Sequence, residues 1–459
     1  MAAISIKYVS ETQHEGRIDA EFFHPKYELL DNVLAKITNK SKFGQLSKFV
    51  KKGIFDISPK KYRDEGIPLI RTTQIKTPIS NSDNLIYIEL KEHQKNHSKT
   101  ELLKGDIVFT KIGAGIGDVA ILNSNYPFYN FSQNVAGASI NREKINPYYL
   151  IAFLISNYGK DQILRYMMPS GQGKLELKDI KKILIFRDEK NEESISELIY
   201  ASEKNINLSL KLYQQANDLL KQALGLDKIS FESTNSYIAN FSEVINNNRS
   251  DADFYQTKFK QLALHINTLN TVYLGSICSF LKGFEVGTPA YTDFGPTFIR
   301  VSNLTKDGFS FGNSDKYISE ETFKNLKKYQ PKIGDILLTK DGTIGTCNVV
   351  DEEVQGIISS GIMNLTLNDT NIPKEYLALV INSQICQMQA DRDCSGALIT
   401  HWKPEQIRKL KIPILEKETM LKLAELVSNS KIARKQSKDL LTQAKNRVEQ
   451  LIEEAANKN

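Results

Sequence analysis

The sequence has little of what membrane-spanning and secreted proteins require. No apolar run reaches the roughly 18 residues needed to cross a bilayer. Residues 1–7, Met-Ala-Ala-Ile-Ser-Ile-Lys, lack the basic start and the sustained apolar stretch of a secretory signal. We therefore predict a cytoplasmic protein with no membrane partner.

Cysteine is also scarce, with four residues, all in the second half of the chain. They are Cys278, Cys347, Cys386 and Cys394, and none of them shows the paired CxxC spacing of a zinc site. Disulfides are rare in proteins that are not secreted. We interpret the four as reduced thiols and predict no metal site.

Charge of one sign is not concentrated either, because 60 Lys and Arg face 54 Asp and Glu, for a net charge of +6. This excess fits a polyanionic partner but does not require one. The 459 residues, 41% hydrophobic and 25% charged, have a globular composition and exceed what one core usually supports. Two or more domains are expected.

The chain is an internal duplication. Arg-Ile-Asp-Ala-Glu-Phe-Phe at 17–23 returns as Arg-Ser-Asp-Ala-Asp-Phe-Tyr at 249–255. Further matches follow in the same order: 105–111 with 334–340, 170–171 with 395–396, and 218–220 with 439–441. The matched segments are offset by 232 residues at the first match (249 − 17) and 221 at the last (439 − 218). Such a period is too long for a solenoid and corresponds to a whole domain. Two related domains suit a target with two related but different sites.

Each copy begins with short strand-like runs and glycine turns and ends with a long helical pattern. The helices are predicted from about residue 192 to 226 and from about 417 to 456, and each has a heptad-like apolar seam. The seam residues are Ile199, Ile206, Tyr213 and Leu220 in the first helix, and Leu440, Leu441, Val448 and Leu451 in the second. A helix packed only inside its own domain remains the alternative.

If the two helices pair with each other, an antiparallel arrangement is the simplest for a duplicated chain. A helix of about 35 residues spans roughly 50 Å. Such a rod could set two readers about one DNA turn apart, since a turn is roughly 34–36 Å. The predicted class is α+β, with two pseudo-symmetric mixed α/β domains at 1–188 and 229–415 and two spacer helices at 189–228 and 416–459.

Strings that imitate enzyme motifs are incomplete. The glycine run at 113–117 lacks both the Gly-Lys-Ser/Thr ending and the GxGxxG spacing of nucleotide loops, so it is interpreted as a turn. Asn-Pro-Tyr-Tyr at 146–149 lacks the second proline of a methyltransferase loop. His93 and His97 have no equivalent in the second copy, which favours a solvated helix face over a metal site. No catalytic residue is assigned.

Three matched pairs of strings resemble the specificity subunit of type I restriction–modification systems. The first pair is Ile-Arg-Thr-Thr-Gln-Ile at 70–75 with Ile-Arg-Val-Ser-Asn-Leu at 299–304, and the second is the Gly-Asp strings at 103–113 and 333–342. The third is Ser-Gly at 170–171 with Asp-Ile at 179–180, matched by Ser-Gly at 395–396 with Gln-Ile at 406–407. The resemblance covers essentially the whole chain. The Pro-Leu-x-Glu-Gln signature that often opens the family's helix is missing, and the 17–23 motif is more similar to a branch also seen in type IIB-like systems.

This resemblance implies a non-catalytic reader of double-stranded DNA. Two target-recognition domains would each read one half of a split, asymmetric sequence, while the paired helices would set the spacer and dock two methyltransferase subunits. S-adenosylmethionine, ATP and magnesium would belong to those subunits and to motor–nuclease subunits. No cofactor is expected in this chain itself.

Candidate DNA contacts are polar residues in matched turns. Base reading uses Arg for guanine, Asn or Gln for adenine, and Ser or Thr for either, while Lys and Arg contact phosphates. The candidates are Arg71, Thr72, Gln74, Lys111, Gln172 and Lys174 in the first copy, and Arg300, Ser302, Asn303, Lys340, His401 and Lys403 in the second. Because the two copies must differ, the unmatched loops at 51–62 and 282–291 are alternative places for base readers.

Two other functions remain open from sequence. The chain could itself be a DNA methyltransferase or nuclease, which S-adenosylmethionine binding by the isolated chain would favour. It could also be a tandem scaffold that joins proteins, which a lack of salt-sensitive DNA affinity would favour.

Overall fold

The computed structural model describes residues 17–54, 58–75, 78–80, 85–113, 115–167, 173–231, 236–312, 315–394 and 400–458. The chain divides into two compact units, Met1–Asn207 with Arg434–Asn459, and Leu208–Ala433. The boundary between the units crosses both long helices. Each unit therefore contains one globule and a segment of each helix.

Over its described residues, the first globule contains six α-helices and ten strands. The helices are α1 (Lys26–Lys36), α2 (Phe43–Leu46), α3 (Leu90–Glu92), α4 (Pro147–Ile155), α5 (Asn157–Arg165) and α6 (Leu177–Ile180). The strands are β1 (Lys40–Lys42), β2 (Ser47–Lys52), β3 (Ile67–Ile70), β4 (Ile86–Ile88), β5 (Leu102–Leu103), β6 (Ile107–Thr110), β7 (Val119–Ile121), β8 (Phe128–Phe131), β9 (Val135–Ile140) and β10 (Leu184–Phe186). The first long helix is α7 (Glu192–Ala223), and Gly225 follows it in the left-handed conformation, with φ of 67°.

The second globule has a similar order of elements. Its helices are α8 (Phe241–Asn247), α9 (Thr257–Ile266), α10 (Leu274–Ile277), α11 (Glu320–Asn325), α12 (Lys374–Asn382), α13 (Gln384–Asp393) and α14 (Pro404–Arg408), followed by the second long helix, α15 (Lys417–Asn457). Its strands are β11 (Thr271–Tyr273), β12 (Cys278–Lys282), β13 (Tyr291–Ile299), β14 (Leu304–Thr305), β15 (Gly308–Phe309), β16 (Lys316–Ile318), β17 (Ile336–Thr339), β18 (Cys347–Val349), β19 (Gly356–Ile358), β20 (Ile362–Leu367) and β21 (Lys411–Pro413).

Most strands of the two globules correspond, but over the described residues β5 joins β8 only in the first unit and the pair β14-β15 occurs only in the second. An antiparallel sheet with order β2-β9-β6-β7 corresponds to one with order β12-β20-β17-β18. A mixed sheet contains β4-β3-β8 in the first unit and β16-β13-β19 in the second, and in both the last two strands are parallel. The pairs β1-β10 and β11-β21 close each globule. The predicted duplication and α+β class are thus confirmed.

The opening motif of each copy ties the chain to the end of a helix. Arg17 bonds the Asp19 carboxylate at 2.6 Å, stacks over the Phe22 ring and donates to main-chain carbonyls at the end of α5. Arg249 makes the same set of contacts with Asp251, the Phe254 ring and carbonyls at the end of α13. The matched strings at 17–23 and 249–255 therefore preserve a structural clamp.

The long helices pair antiparallel within each unit. In the first unit the beginning of α7 packs with the end of α15, where Ser202 Oγ lies 2.7 Å from Ser437 Oγ. In the second unit the end of α7 packs with the beginning of α15, where Ser209 Oγ lies 3.0 Å from Ser430 Oγ. Small hydroxyl residues on the seam let the two backbones approach closely.

The predicted seam residues face inward to different degrees. Four are buried in a hydrophobic core, namely Ile199, Leu220, Val448 and Leu451. The other four are half-buried, namely Ile206, Tyr213, Leu440 and Leu441. The seam therefore contributes to the cores of the units as well as to helix pairing.

Two charged residues at matched places on the long helices reach into the globules. Glu203 of α7 accepts hydrogen bonds from the Ser124 amide at 2.5 Å and the Tyr148 hydroxyl at 2.7 Å. Lys431 of α15 donates to Asn348 Oδ1 at 3.0 Å and to a main-chain carbonyl of β18. Burial lowers the pKa of the Lys431 ammonium. Each helix is thus joined to its globule by a charged side chain, which is an acid on α7 and a base on α15.

We predict that Glu203→Ala lowers the free energy of unfolding by roughly 1–3 kcal/mol, because two donors lose their acceptor in a buried place. Glu197→Ala is the matched control, since Glu197 is an exposed acid on the same segment of α7. Urea unfolding of the full chain measures the difference. An equal loss in both variants would contradict the predicted role of Glu203.

Candidate nucleic-acid interface

Main-chain hydrogen bonds bring four segments of the first unit to one edge. The turn that follows β8 donates from the Ser132 amide to Ile70 O, at the end of β3, at 2.9 Å. The Lys111 amide, at the end of β6, donates to Asn134 O at 2.8 Å, and the Leu175 amide donates to Lys111 O at 3.0 Å. The candidates around residues 71, 111 and 174 are therefore neighbours.

The second unit repeats these bonds with different residues. The Ser359 amide donates to Ile299 O, the Lys340 amide donates to Gly361 O, and the Trp402 amide donates to Lys340 O, each at 2.8 Å. The segments after β13, β17 and β19 thus meet beside residues 401–403. The same backbone frame carries both sets of candidates.

A glycine in each unit brings a fifth segment to this edge. A Cβ atom on Gly53 would lie 2.1 Å from Phe131 O, and one on Gly283 would lie 2.1 Å from Ser359 O. Only glycine permits such a close approach. The unmatched loops predicted as alternative base readers, 51–62 and 282–291, therefore begin at the same edge, although residues 55–57 lie outside the described part of the chain.

Two of the predicted base readers serve a different purpose. Gln74 and Asn303 are buried, 1% and 2% exposed. Gln74 Oε1 accepts from the Arg71 amide at 3.1 Å, and Asn303 Oδ1 accepts from the Arg300 amide at 3.0 Å. These amides cap the 3₁₀ turns that follow β3 and β13. Direct contact of their amides with bases does not fit this arrangement, and we assign them to positioning the turns.

The other candidates in these turns remain accessible. Arg71, Thr72 and Arg300 are half-buried, and Ser302 is exposed. Lys403 is exposed at the start of α14, where its amide bonds Gln406 Oε1 at 2.9 Å. Gln172 and the matched Ser-Gly dipeptides lie outside the described residues.

The edge of the first unit is cationic. Lys111 is 7% exposed, and burial followed by the nearby charges of Lys174 and Lys52 lowers the pKa of its ammonium group, while Glu176 opposes this. Lys174 pairs with Glu176 at 2.6 Å. Over the described ranges, no oxygen accepts a hydrogen bond from Lys111 Nζ. This ammonium is suited to an acceptor from a ligand.

The edge of the second unit has an acid, Asp341, where the first has Ile112. Asp341 accepts from Lys340 Nζ through Oδ2 and from His401 Nδ1 through Oδ1, the latter at 2.8 Å. Burial acts to raise the pKa of Asp341, but the hydrogen bonds from Lys340 and His401 outweigh it and lower that pKa. Asp341 therefore remains ionised at neutral pH.

Sequence reasoning missed several residues at these edges. Ser359, Ser360 and Gly361 were not singled out, and Ser360 Oγ donates to Glu285 Oε2 at 2.9 Å. Asp341 was also missed, whereas Lys52 lies in the alternative loop 51–62. The signal was available, since residues 132–134 and 359–361 follow matched strands in the two copies. It was weak because these turns share little sequence.

His93 differs from its prediction. Its side chain is buried rather than solvated, with Nε2 at 2.8 Å from Glu101 Oε2 and Nδ1 at 3.1 Å from the Asn130 amide. Across the described segments, no group of three or more His, Cys, Asp or Glu residues could hold a metal ion. None of the described helices is long and apolar enough to cross a membrane.

A comparison of the sequence with models of protein families identifies the family of this chain. The model of the type I restriction modification DNA specificity domain matches residues 38–186 and 269–450, one match in each copy and well over half of the chain together. The chain therefore belongs to this family. No match was found among curated protein sequences.

Several solved structures can be aligned with most of this chain, with low sequence identity and low TM-scores. A type I restriction-modification S subunit from M. genitalium is 12% identical with a TM-score of 0.39, over 91% of this chain and 96% of that one. The HsdS subunit from Thermoanaerobacter tengcongensis is 13% identical with a TM-score of 0.28, over 91% and 96%. A structure described as the basis of complex assembly and conformational transition of the type I R-M system is 13% identical with a TM-score of 0.29, over 91% and 97%.

We predict that Gly283→Ala destabilises the second unit by roughly 2 kcal/mol or more, because its Cβ would clash with a main-chain oxygen that cannot move freely. Gly312→Ala is the control, since no atom of the described residues lies within 4 Å of a Cβ there. Urea unfolding and protease resistance of the full chain measure both. If alanine is tolerated equally at the two positions, the close approach does not shape this edge.

Proposed function

We propose that this chain is the DNA-specificity subunit of a type I restriction–modification complex. Each unit reads one half of a split, asymmetric double-stranded sequence, and the chain performs no chemistry itself. Two methyltransferase subunits and motor–nuclease subunits are its partners, and these hold S-adenosylmethionine, ATP and magnesium. The family membership supports this function.

One observation carries the proposal furthest: the same backbone edge occurs twice with different side chains. Where the first unit pairs Ile112 with Lys174 in an isolated bridge, the second pairs Asp341 with His401. Main-chain hydrogen bonds fix the positions, so the side chains are free to differ. A repeated frame with different chemistry is what a reader of two unlike half-sites needs.

The candidate contacts divide by role. Lys111, Lys174 and Lys52 supply positive charge in the first unit, which suits phosphates and affinity. Arg71 and Arg300 begin matched turns, where a planar guanidinium can reach guanine. Thr72, Ser302, His401 and Lys403 complete the accessible set.

The long helices offer the docking surface for the methyltransferase subunits. The buried seam residues Ile199, Leu220, Val448 and Leu451 cannot meet a partner, because they already lie in the cores. Exposed apolar residues on the same helices are better candidates. They are Tyr200, Leu208, Leu421 and Ile432.

The decisive experiment is long-read modification sequencing of DNA from cells that carry this chain together with its methyltransferase. We expect a motif of two short half-sites with a fixed, unspecified spacer to be methylated only when the chain is present. Cells that lack this chain alone are the control. Unchanged methylation in an otherwise active system would favour a protein scaffold over a DNA reader.

A second prediction concerns Lys111. Lys111→Met keeps the apolar stem but removes the ammonium, so the slope of log K against log salt concentration should fall by about one. Lys324→Met, at an exposed lysine of α11, should leave that slope unchanged. Fluorescence anisotropy of a labelled duplex with the assembled methyltransferase complex measures both. An unaltered slope for Lys111→Met would remove this residue from the phosphate contacts.

A further inference from the structure

The two edges differ most at one matched position. In the first unit, Ile112 pairs with Lys174, and the adjacent Lys111 ammonium has no acceptor among the described residues. In the second unit, Asp341 occupies the place of Ile112, and the segment beside it brings His401 in place of Lys174. In the second unit Asp341 thus lies between Lys340 and His401, whereas in the first unit the acid that pairs with Lys174 is Glu176.

Asp341 holds these two groups with separate oxygens. Its Oδ2 accepts from Lys340 Nζ, and its Oδ1 accepts from His401 Nδ1 at 2.8 Å. The side chains are 10% exposed for Lys340, 22% for Asp341 and 57% for His401. The lysine is therefore enclosed and neutralised by the carboxylate, while most of the imidazole faces outward.

The hydrogen bond to Asp341 decides which imidazole nitrogen carries the proton. An ionised carboxylate can only accept hydrogen bonds, so Nδ1 of His401 must be the donor. In a neutral ring the other nitrogen, Nε2, is then an acceptor. A neutral His401 in this orientation presents Nε2 to a ligand as a hydrogen-bond acceptor.

In the major groove, an acceptor is complementary to exocyclic amino groups. Adenine presents a 6-amino group and cytosine a 4-amino group, whereas guanine and thymine present acceptors there. The lysine next to it cannot override this preference, because its charge is offset by Asp341. The second edge therefore favours a base that presents a hydrogen-bond donor in the major groove, namely adenine or cytosine.

We propose that His401 contacts the exocyclic amino group of an adenine or cytosine in the second half-site, and that Asp341 is the positioning residue that orients it. This inference rests on the proposed DNA-reading function. It assigns a role to Asp341, and it makes the two halves of the site chemically unlike. At the place of His401 the first unit has Lys174, which pairs with Glu176 at 2.6 Å, and the second unit has an imidazole oriented by Asp341.

The test uses the assembled complex and duplexes of the motif found by modification sequencing. In each duplex one adenine of the second half-site is replaced by purine, or one cytosine by 2-pyrimidinone, which removes only the exocyclic amino group. With the unaltered chain, we expect one replacement to weaken binding about tenfold, the size of a good base contact. A purine position identifies adenine, and a pyrimidinone position identifies cytosine.

Three variants then assign the contact. His401→Ala should make that one position insensitive to loss of the amino group, and Asp341→Asn should reduce its sensitivity. In the double variant, Asp341→Asn should add nothing, because it acts through His401. Glu321→Gln is the control, since it removes an exposed charge from the same unit. Replacements in the first half-site should weaken binding equally in all variants.

The outcomes separate the two proposals. If the unaltered complex does not prefer the motif over a scrambled duplex, the proposed function itself fails. If the motif is preferred but His401→Ala leaves every amino-group position as sensitive as before, the contact assigned to His401 is wrong. His401 is largely exposed, so this variant keeps the test valid even where Asp341→Asn disturbs folding. Additive effects in the double variant would overturn the positioning role of Asp341.

Discussion

Neither unit completes its hydrophobic core from one copy of the duplication. In the first unit, Ile195 and Ile199 of α7 join Val448 and Ile452 of α15 in the same core as the globule. In the second unit, Leu220 of α7 shares a core with segments of α15. Antiparallel helix pairing is therefore a condition for both globules, because each buries apolar surface on helices from both copies. The core of the first unit is complete only with residues of α15 that are far away in sequence.

The side chains of the two edges can differ without loss of structure, because the main chain holds these edges in place. Main-chain hydrogen bonds between Lys111 and Asn134, and between Lys340 and Gly361, hold equivalent segments in place. Such bonds do not depend on side-chain identity, apart from glycine where backbones approach closely. The side chains of the turns can then change with the target, while the cores and the helix seam preserve the frame.

Much of the fold could be predicted from the sequence, since duplication and heptad periodicity are repeated patterns that identify long elements. The roles of individual side chains could not be predicted in this way. Gln74 and Asn303 were predicted to read bases, but capping a tight turn uses the same amide groups. Glu203 and Lys431 were not singled out, because a charged residue on a helix is ordinarily solvated and its partners come from distant strands.

The register in which α7 pairs with α15 was also ambiguous from the sequence. The match of 218–220 with 439–441 implies an offset of 221 residues. The serine contacts instead make Ser202 equivalent to Ser430 and Ser209 equivalent to Ser437, an offset of 228. The difference is one heptad, and a heptad pattern looks the same after such a shift. Only the hydrogen bonds between the helices distinguish the two registers.

The contrast between Lys111 and Lys340 has an energetic consequence for the proposed function. Lys111 is 7% exposed and its ammonium has no acceptor among the described residues, so an acceptor from a ligand would favour binding. Lys340 already pairs with Asp341, so its ammonium gains little from a ligand. Binding at the first edge should then depend strongly on charge and salt, whereas the second edge should discriminate more by hydrogen-bond geometry. A duplicated frame can in this way separate affinity from specificity between its halves.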